Sequence, residues 1–143
     1  MEVKSQVGSF GNNANNRVEE ALGNATDFWT AYKRGVLKPS QKPWLGYLFM
    51  LEEHLISTRP RKRIELQPFA VDEAYQQKSY AQNYEETCKR LVRELLYDAA
   101  CFFVSNAASG IKGEYRQPSE ELSIRNFAIS LHARAAAFAR LSK

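Results

Sequence analysis

An α/β fold, with few strands flanked by about three helices, is predicted by three features of the sequence. Residues 2 to 7 read with a period of two, which argues for a strand. A continuous apolar run, "WLGYLFML", reads as a second strand buried on both faces at its centre. Three further segments repeat apolar residues at helical spacing.

Taken in order, Glu2, Lys4 and Gln6 share one face of the first strand. "GSFGNNANN" is a loop by composition. Asn16 then caps a helix, with Glu19 three residues on as its capping-box partner. The inner stripe of that helix is Val18, Ala21, Leu22, Ala25, Phe28, Trp29 and Tyr32, and Gly35 suits its end. "LKPSQKP" turns the chain into the second strand, "WLGYLFMLEEH". The span from Leu55 to Lys78 is irregular and holds Pro60, Pro68 and the basic run "RPRKR". Ser79 with Gln82 forms another capping box. Tyr84, Cys88, Leu91, Leu95, Ala99 and Phe102 behind it mark a long helix. "SNAASGIKGEYRQP" is a loop, and Ser119 caps a last helix with Ile124, Phe127, Ala128, Leu131, Ala135 and Phe138 inward. There is no internal repeat. Two strands do not make an independently stable sheet, so the core is expected to be an incomplete one.

At 143 residues the chain is one domain by length. Its hydrophobic fraction of 44% and charged fraction of 25% are those of an ordinary globule. No apolar run approaches the ~18 residues that a membrane span needs. Glu2 and Lys4 stand where the apolar part of a signal peptide would begin. On one helix, Cys88 and Cys101 would lie roughly 20 Å apart, too far to bridge. They read as buried free thiols of a reducing cytoplasm. The net charge of +4 permits a polyanionic partner without demanding one.

An acid and a lysine two apart on a strand leave the same face together. That pairing suits metal-assisted cleavage of a phosphodiester. A carboxylate helps hold Mg²⁺, and a lysine beside it stabilises developing negative charge or positions water. Gln6, next on the face, could orient water or phosphate. The competing reading of the same tripeptide is a solvated strand face.

"EVKSQVG", "FGNN", "NNRVEEALGNA", "WTAYKRG", "PSQKPWLGYLFMLEE", "SYAQNYE", "CKRLVRELLYDAA", "GEYRQP" and "ELSIRNFA", in this order, resemble the C-terminal part of the XhoI-type restriction endonucleases. That family resembles the PD-(D/E)xK nucleases in its active-site motif. The resemblance implies a single domain over residues 1–143, the C-terminal part of an endonuclease whose N-terminal part is absent. It implies Glu2 and Lys4 as the acid and lysine of the motif, Gln6 as the glutamine after them, and Glu2 as a metal ligand. It further implies Mg²⁺-dependent cutting of duplex DNA at a palindrome, with members cutting within CTCGAG. A two-fold target implies a homodimer. The Asp that supplies the family's other metal carboxylate is missing, so the chain by itself is expected to cut little or not at all.

Candidate DNA contacts are Asn12, Asn13, Asn15 and Arg17 after the strand, and Arg59, Arg61, Lys62 and Arg63 in the basic run. Asparagine can pair with adenine or bond phosphates, and arginine clusters suit phosphates or guanine edges. A polar helix-capping loop and a solvated charge run are the plain alternatives. Lys89, Arg90 and Arg93 are read as pairing with Glu86 and Glu94 within their helix. A remnant that binds DNA or dimerises without cutting is the alternative function, and a protein-interaction module with an incidental basic loop is a third.

Overall fold

A computed structural model of the protein describes residues 1–37, 41–61 and 77–141. Its centre is a three-stranded parallel sheet in the order β1-β2-β3, from Glu2–Gln6 (β1), Gly46–Glu52 (β2) and Ala99–Ser105 (β3). The α/β class is as expected. The helices are Phe10–Lys33 (α1), Leu55–Thr58 (α2), Tyr80–Arg93 (α3), Ala107–Gly110 (α4) and Ile124–Leu141 (α5), with a 3-10 turn at Glu120–Leu122.

Pairing sets which side chains share a face. Glu2, Lys4 and Gln6 align with Tyr47, Phe49 and Leu51, which align in turn with Ala100, Phe102 and Val104. This face is the core. Phe49 stacks between Tyr47, Phe102 and Tyr84, with ring centroids at 6.1, 6.0 and 4.5 Å. Helix α1 closes on the core through Phe10, Ala21 and Ala25, and α3 through Tyr84, Cys88 and Leu91. The opposite face is partly covered by α5, whose Phe127 meets Trp44 edge-on at 5.4 Å. Gly46 permits that approach: an added Cβ would collide with the Trp44 indole and lie 2.9 Å from the Phe127 ring.

The third strand corrects the sequence expectation. Tyr84, Cys88, Leu91, Leu95, Ala99 and Phe102 keep helical spacing, which predicts a long helix running through residues 99 to 102. The helix instead ends at Arg93. Leu95 takes φ 60°, and the amides of Leu95 and Leu96 return to the carbonyls of Val92 and Leu91, which is a Schellman stop made without glycine. Leu95 is 83% exposed, and the apolar, aromatic run beyond it fits a buried strand. Cys88 and Cys101 therefore sit on different elements, both buried and free. Burial pushes the Cys101 thiol up to about 11 and Cys88 higher still. Native protein at pH 8 should thus react with a thiol reagent orders of magnitude more slowly than protein unfolded in denaturant. Stoichiometric labelling of the native state on the unfolded timescale would contradict this packing.

Two caps also differ. Helix α1 begins at Phe10, with Ser9 in the cap position, so Asn16 does not cap it and Asn12, Asn13 and Asn15 lie on its first turns. Burial of Phe10, packed near His54 and Tyr80, overrides the loop composition. At the other end, Gly35 at φ 70° accompanies the stop as expected, its amide and that of Val36 reaching Tyr32 and Ala31. Ser79 and Gln82 form the expected capping box. Ser119 precedes only the 3-10 turn, and Ser123 accepts from the Asn126 amide at the start of α5. Of the expected inner stripe of α5, only Phe127 is buried, while Leu131 and Phe138 stay exposed.

Candidate functional site

The three-residue link from β1 to α1 sends the helix back over the strand. Gly8 and Ser9 both have positive φ, and the Gly8 amide donates to Glu52 Oε2 at 2.9 Å from the end of β2. Helix α1 then lays Arg17, Glu20 and Asn24, at three- and four-residue spacing, above Lys4 and Glu2. Buried Ala21 and Ala25 keep the helix close.

The Glu2 carboxylate is held on both oxygens. Asn24 Nδ2 donates to Oε1 at 2.8 Å, and the Tyr97 hydroxyl donates to Oε2 at 2.7 Å. Lys4 Nζ lies 3.6 Å from Glu2 Oε1 and 3.4 Å from Glu20 Oε2, so it is shared between two acids. Arg17 also pairs with Glu20, at 2.7 Å. That hydrogen bond, with the charges of Arg17 and Lys4, holds the Glu20 carboxyl below its usual range. The Glu2 side chain keeps 14% of its surface open and Lys4 keeps 29%, enough for a phosphate or ion to reach the pair from one side.

Gln6 stands apart from this pair. It is 2% exposed, its Nε2 donates to the Gly8 carbonyl, and its Oε1 has no protein partner among the described residues. It braces the link that starts α1. The sequence alone does not mark Glu20, Asn24 or Tyr97. The first two follow from helical spacing once α1 is laid on β1. Tyr97 lies 95 residues from Glu2, and nothing local marks it.

Of the candidate DNA contacts, Arg17 lies beside Lys4 through Glu20, while Asn12, Asn13, Asn15, Arg59 and Arg61 fall at the other end of β1. Four residue steps of strand separate Glu2 from Gln6, about 13 Å. Asn12 and Asn15 are exposed on the first turns of α1 and Asn13 is half-buried. The contacts of Phe10 with His54, 6.0 Å between rings, and with Tyr80, 6.3 Å, bring this helix start beside residues 54–61. Arg59 is exposed there. Arg61 lies over the Tyr80 ring at 4.7 Å and donates from Nε to the Lys78 carbonyl. Lys62 and Arg63 lie outside the described residues. Arg17 is engaged with Glu20. On α3, Lys89 pairs with Glu85 and Arg90 with Glu94, while Arg93 reaches Glu121 and Lys78 takes Glu86. The expected partnering within the helix holds for Arg90 and changes residue for the others.

The comparison with known families decides what this strand belongs to: the model of the restriction endonuclease XhoI family matches residues 1–117. This chain belongs to the XhoI restriction endonuclease family. Among its XhoI-family relatives, the type II restriction enzyme BstVI of Geobacillus stearothermophilus is 45% identical over 132 residues, 92% of this chain and 58% of BstVI. The type II restriction enzyme XhoI of Xanthomonas vasicola is 41% identical over 93 residues, 64% of this chain and 37% of its own length. AbrI of Azospirillum brasilense, also a type II restriction enzyme, is 56% identical over 54 residues, 37% of this chain and 24% of AbrI. The chain thus spans little more than half the length of the longest-matched of these relatives. No solved structure gives a significant match.

Membership in the XhoI family raises the question of a metal. Among the described residues no group of three or more His, Cys, Asp or Glu side chains could hold one. Mg²⁺ needs no such cage: it takes one or two carboxylates and completes its shell with water and substrate phosphates. Glu2 fits one such carboxylate through Oε2, which accepts the Tyr97 hydroxyl and keeps a further lone-pair site, while Oε1 accepts from Asn24 and faces Lys4 Nζ. No helix among the described residues is long and apolar enough to cross a membrane.

Proposed function

We propose that this chain carries the catalytic strand of a type II restriction endonuclease that cuts double-stranded DNA at a palindromic site, CTCGAG, with Mg²⁺ as cofactor. In this reading the sheet and α1 are part of a PD-(D/E)xK nuclease core. The observation that carries it is Glu2 and Lys4 on one strand face, 3.6 Å apart, in a chain of the XhoI family. Glu2 would hold the ion, which when bound supplies Lewis-acid stabilisation of the phosphoryl oxygens. Lys4, already an ion-pair partner of two carboxylates, places positive charge where the phosphorane charge develops. Gln6 acts on the link to α1, away from the reacting atoms.

The test joins this chain to the part of BstVI that it does not match and asks for Mg²⁺-dependent cutting of a duplex holding one CTCGAG. The chain by itself, offering one carboxylate at the pair, is expected to cut little. Cutting by the chain alone that survives Glu2→Ala would place the chemistry elsewhere. The alternative, a remnant that binds DNA without cutting, predicts binding and no cleavage in either form.

Asn12, Asn13, Asn15, Arg59 and Arg61, with Lys62 and Arg63 next in sequence, form the proposed DNA-contacting end. Arg59→Ala should weaken duplex binding and flatten its salt slope by about one unit per lost phosphate contact. Arg61→Ala should do the same and also lower the melting temperature slightly, because its guanidinium packs on Tyr80. Unchanged affinity and slope in both variants would remove these residues from the interface.

A palindromic target is matched by a homodimer. The central strand β2 is paired on both sides, so the open apolar edge of the sheet is not on it. It lies on edge strand β1, where Val3 is 58% exposed, and on Val7 after it, 64% exposed. Sedimentation should show average mass rising with concentration. A monomer across the whole range would contradict the dimer.

A further inference from the structure

We infer that Tyr97 and Asn24 are positioning residues that fix the Glu2 carboxylate for a divalent cation, an inference that rests on the metal role proposed for Glu2. The two donors come from different elements. Asn24 reaches down from α1, and Tyr97 reaches across from the link between α3 and β3. Each takes one carboxylate oxygen, at 2.8 and 2.7 Å, so rotation of the carboxylate about its axis breaks both bonds at once.

The Tyr97 side chain is itself locked. It is 2% exposed, its ring packs against Tyr47 with centroids 5.3 Å apart, and its oxygen lies 3.0 Å from the Ala21 carbonyl. A hydroxyl has one proton, and the charged carboxylate is the stronger acceptor. With Glu2 ionised, the proton therefore points at Glu2 and the Ala21 carbonyl keeps its helical partner. A flexible glutamate near a strand end is a poor ligand for an ion that demands near-octahedral geometry. Fixing its torsions beforehand removes that ordering cost from metal binding. A role for Tyr97 limited to tying β1 to α1 through Ala21 would leave the second donor, on the other oxygen, without a purpose.

The experiment titrates Mn²⁺ alone into the 143-residue protein and reads free ion by electron paramagnetic resonance, with melting curves recorded alongside. Four proteins are compared: wild type, Glu2→Gln, Tyr97→Phe and Asn24→Ala. Glu2→Gln should remove the site. Tyr97→Phe should weaken Mn²⁺ binding by about 10- to 100-fold, the usual cost of losing a partner that orients a ligand. Asn24→Ala should weaken it in the same direction. Asn24 is exposed on a helix and Ala is the better helix former, so this variant folds whatever becomes of Tyr97→Phe. If both positioning variants bind Mn²⁺ as the wild type does while Glu2→Gln does not, the positioning role is overturned and the metal role of Glu2 stands. If Glu2→Gln binds as well as the wild type, both are overturned.

Discussion

Replacing Glu2 or Lys4 by alanine in the protein completed with BstVI sequence should lower the cleavage rate by at least about 10²- to 10³-fold, the cost of removing one group that stabilises a transition state. DNA affinity should stay within a few-fold of wild type. The asymmetry follows from placement. Both side chains point at the α1 face of β1, tied to Asn24, Glu20 and Tyr97, with Glu2 about 13 Å and Lys4 about 7 Å along the strand from the end that carries Asn12 and Asn15. In the proposed reading they serve the scissile phosphate and not the base edges. Loss of binding equal to the loss of cutting, measured by gel shift with Ca²⁺ in place of Mg²⁺, would make the pair a DNA anchor. Lys4→Ala leaves two carboxylates facing each other without their shared cation, so it should cost some stability as well.

Phe49→Ala should destabilise the fold by about 3–5 kcal/mol, against a total of about 5–15 kcal/mol for a domain of this kind. Phe49 is fully buried at the middle of the central strand, between Tyr47, Phe102 and Tyr84, and none of these rings can move into the space it leaves without breaking contacts on β2, β3 or α3. Leu95→Gly is the contrasting case. Leu95 is 83% exposed at φ 60°, where a side chain gains no burial and meets steric cost, so glycine should be neutral or stabilising by up to about 1 kcal/mol. Denaturant midpoints for the two variants check both. A large loss at Leu95 would contradict the helix stop there, and a small one at Phe49 would contradict its place at the centre of the core.

Those two residues also show where the sequence was legible. The first strand was, because its alternation is local and Glu2, Lys4 and Gln6 fall on one face by period alone. Helix ends marked by Gly35 and by the Ser79–Gln82 box were legible for the same reason. The third strand was not: Leu95 stops its helix without a glycine, and Ala99 and Phe102 happen to continue the helical spacing. The asparagines after Gly8 read as a loop because nothing local reports that Phe10 is buried against His54 and Tyr80. The strand's period puts Glu2 and Lys4, the proposed acid and lysine, on one face. The groups that hold them, Asn24 and Tyr97, depend on how α1 and the approach to β3 fold over that strand, 22 and 95 residues away.

The claim that Glu2 and Lys4 belong to a nuclease site is tested most directly by one digestion. The completed protein is incubated with a linear duplex holding a single CTCGAG and with a duplex differing only at that site, each with Mg²⁺ and with excess chelator. Two fragments of defined length from the first duplex with Mg²⁺, none from the second, none with chelator and none from the Glu2→Ala variant are the predicted result. Site-specific fragments that persist in Glu2→Ala would contradict it.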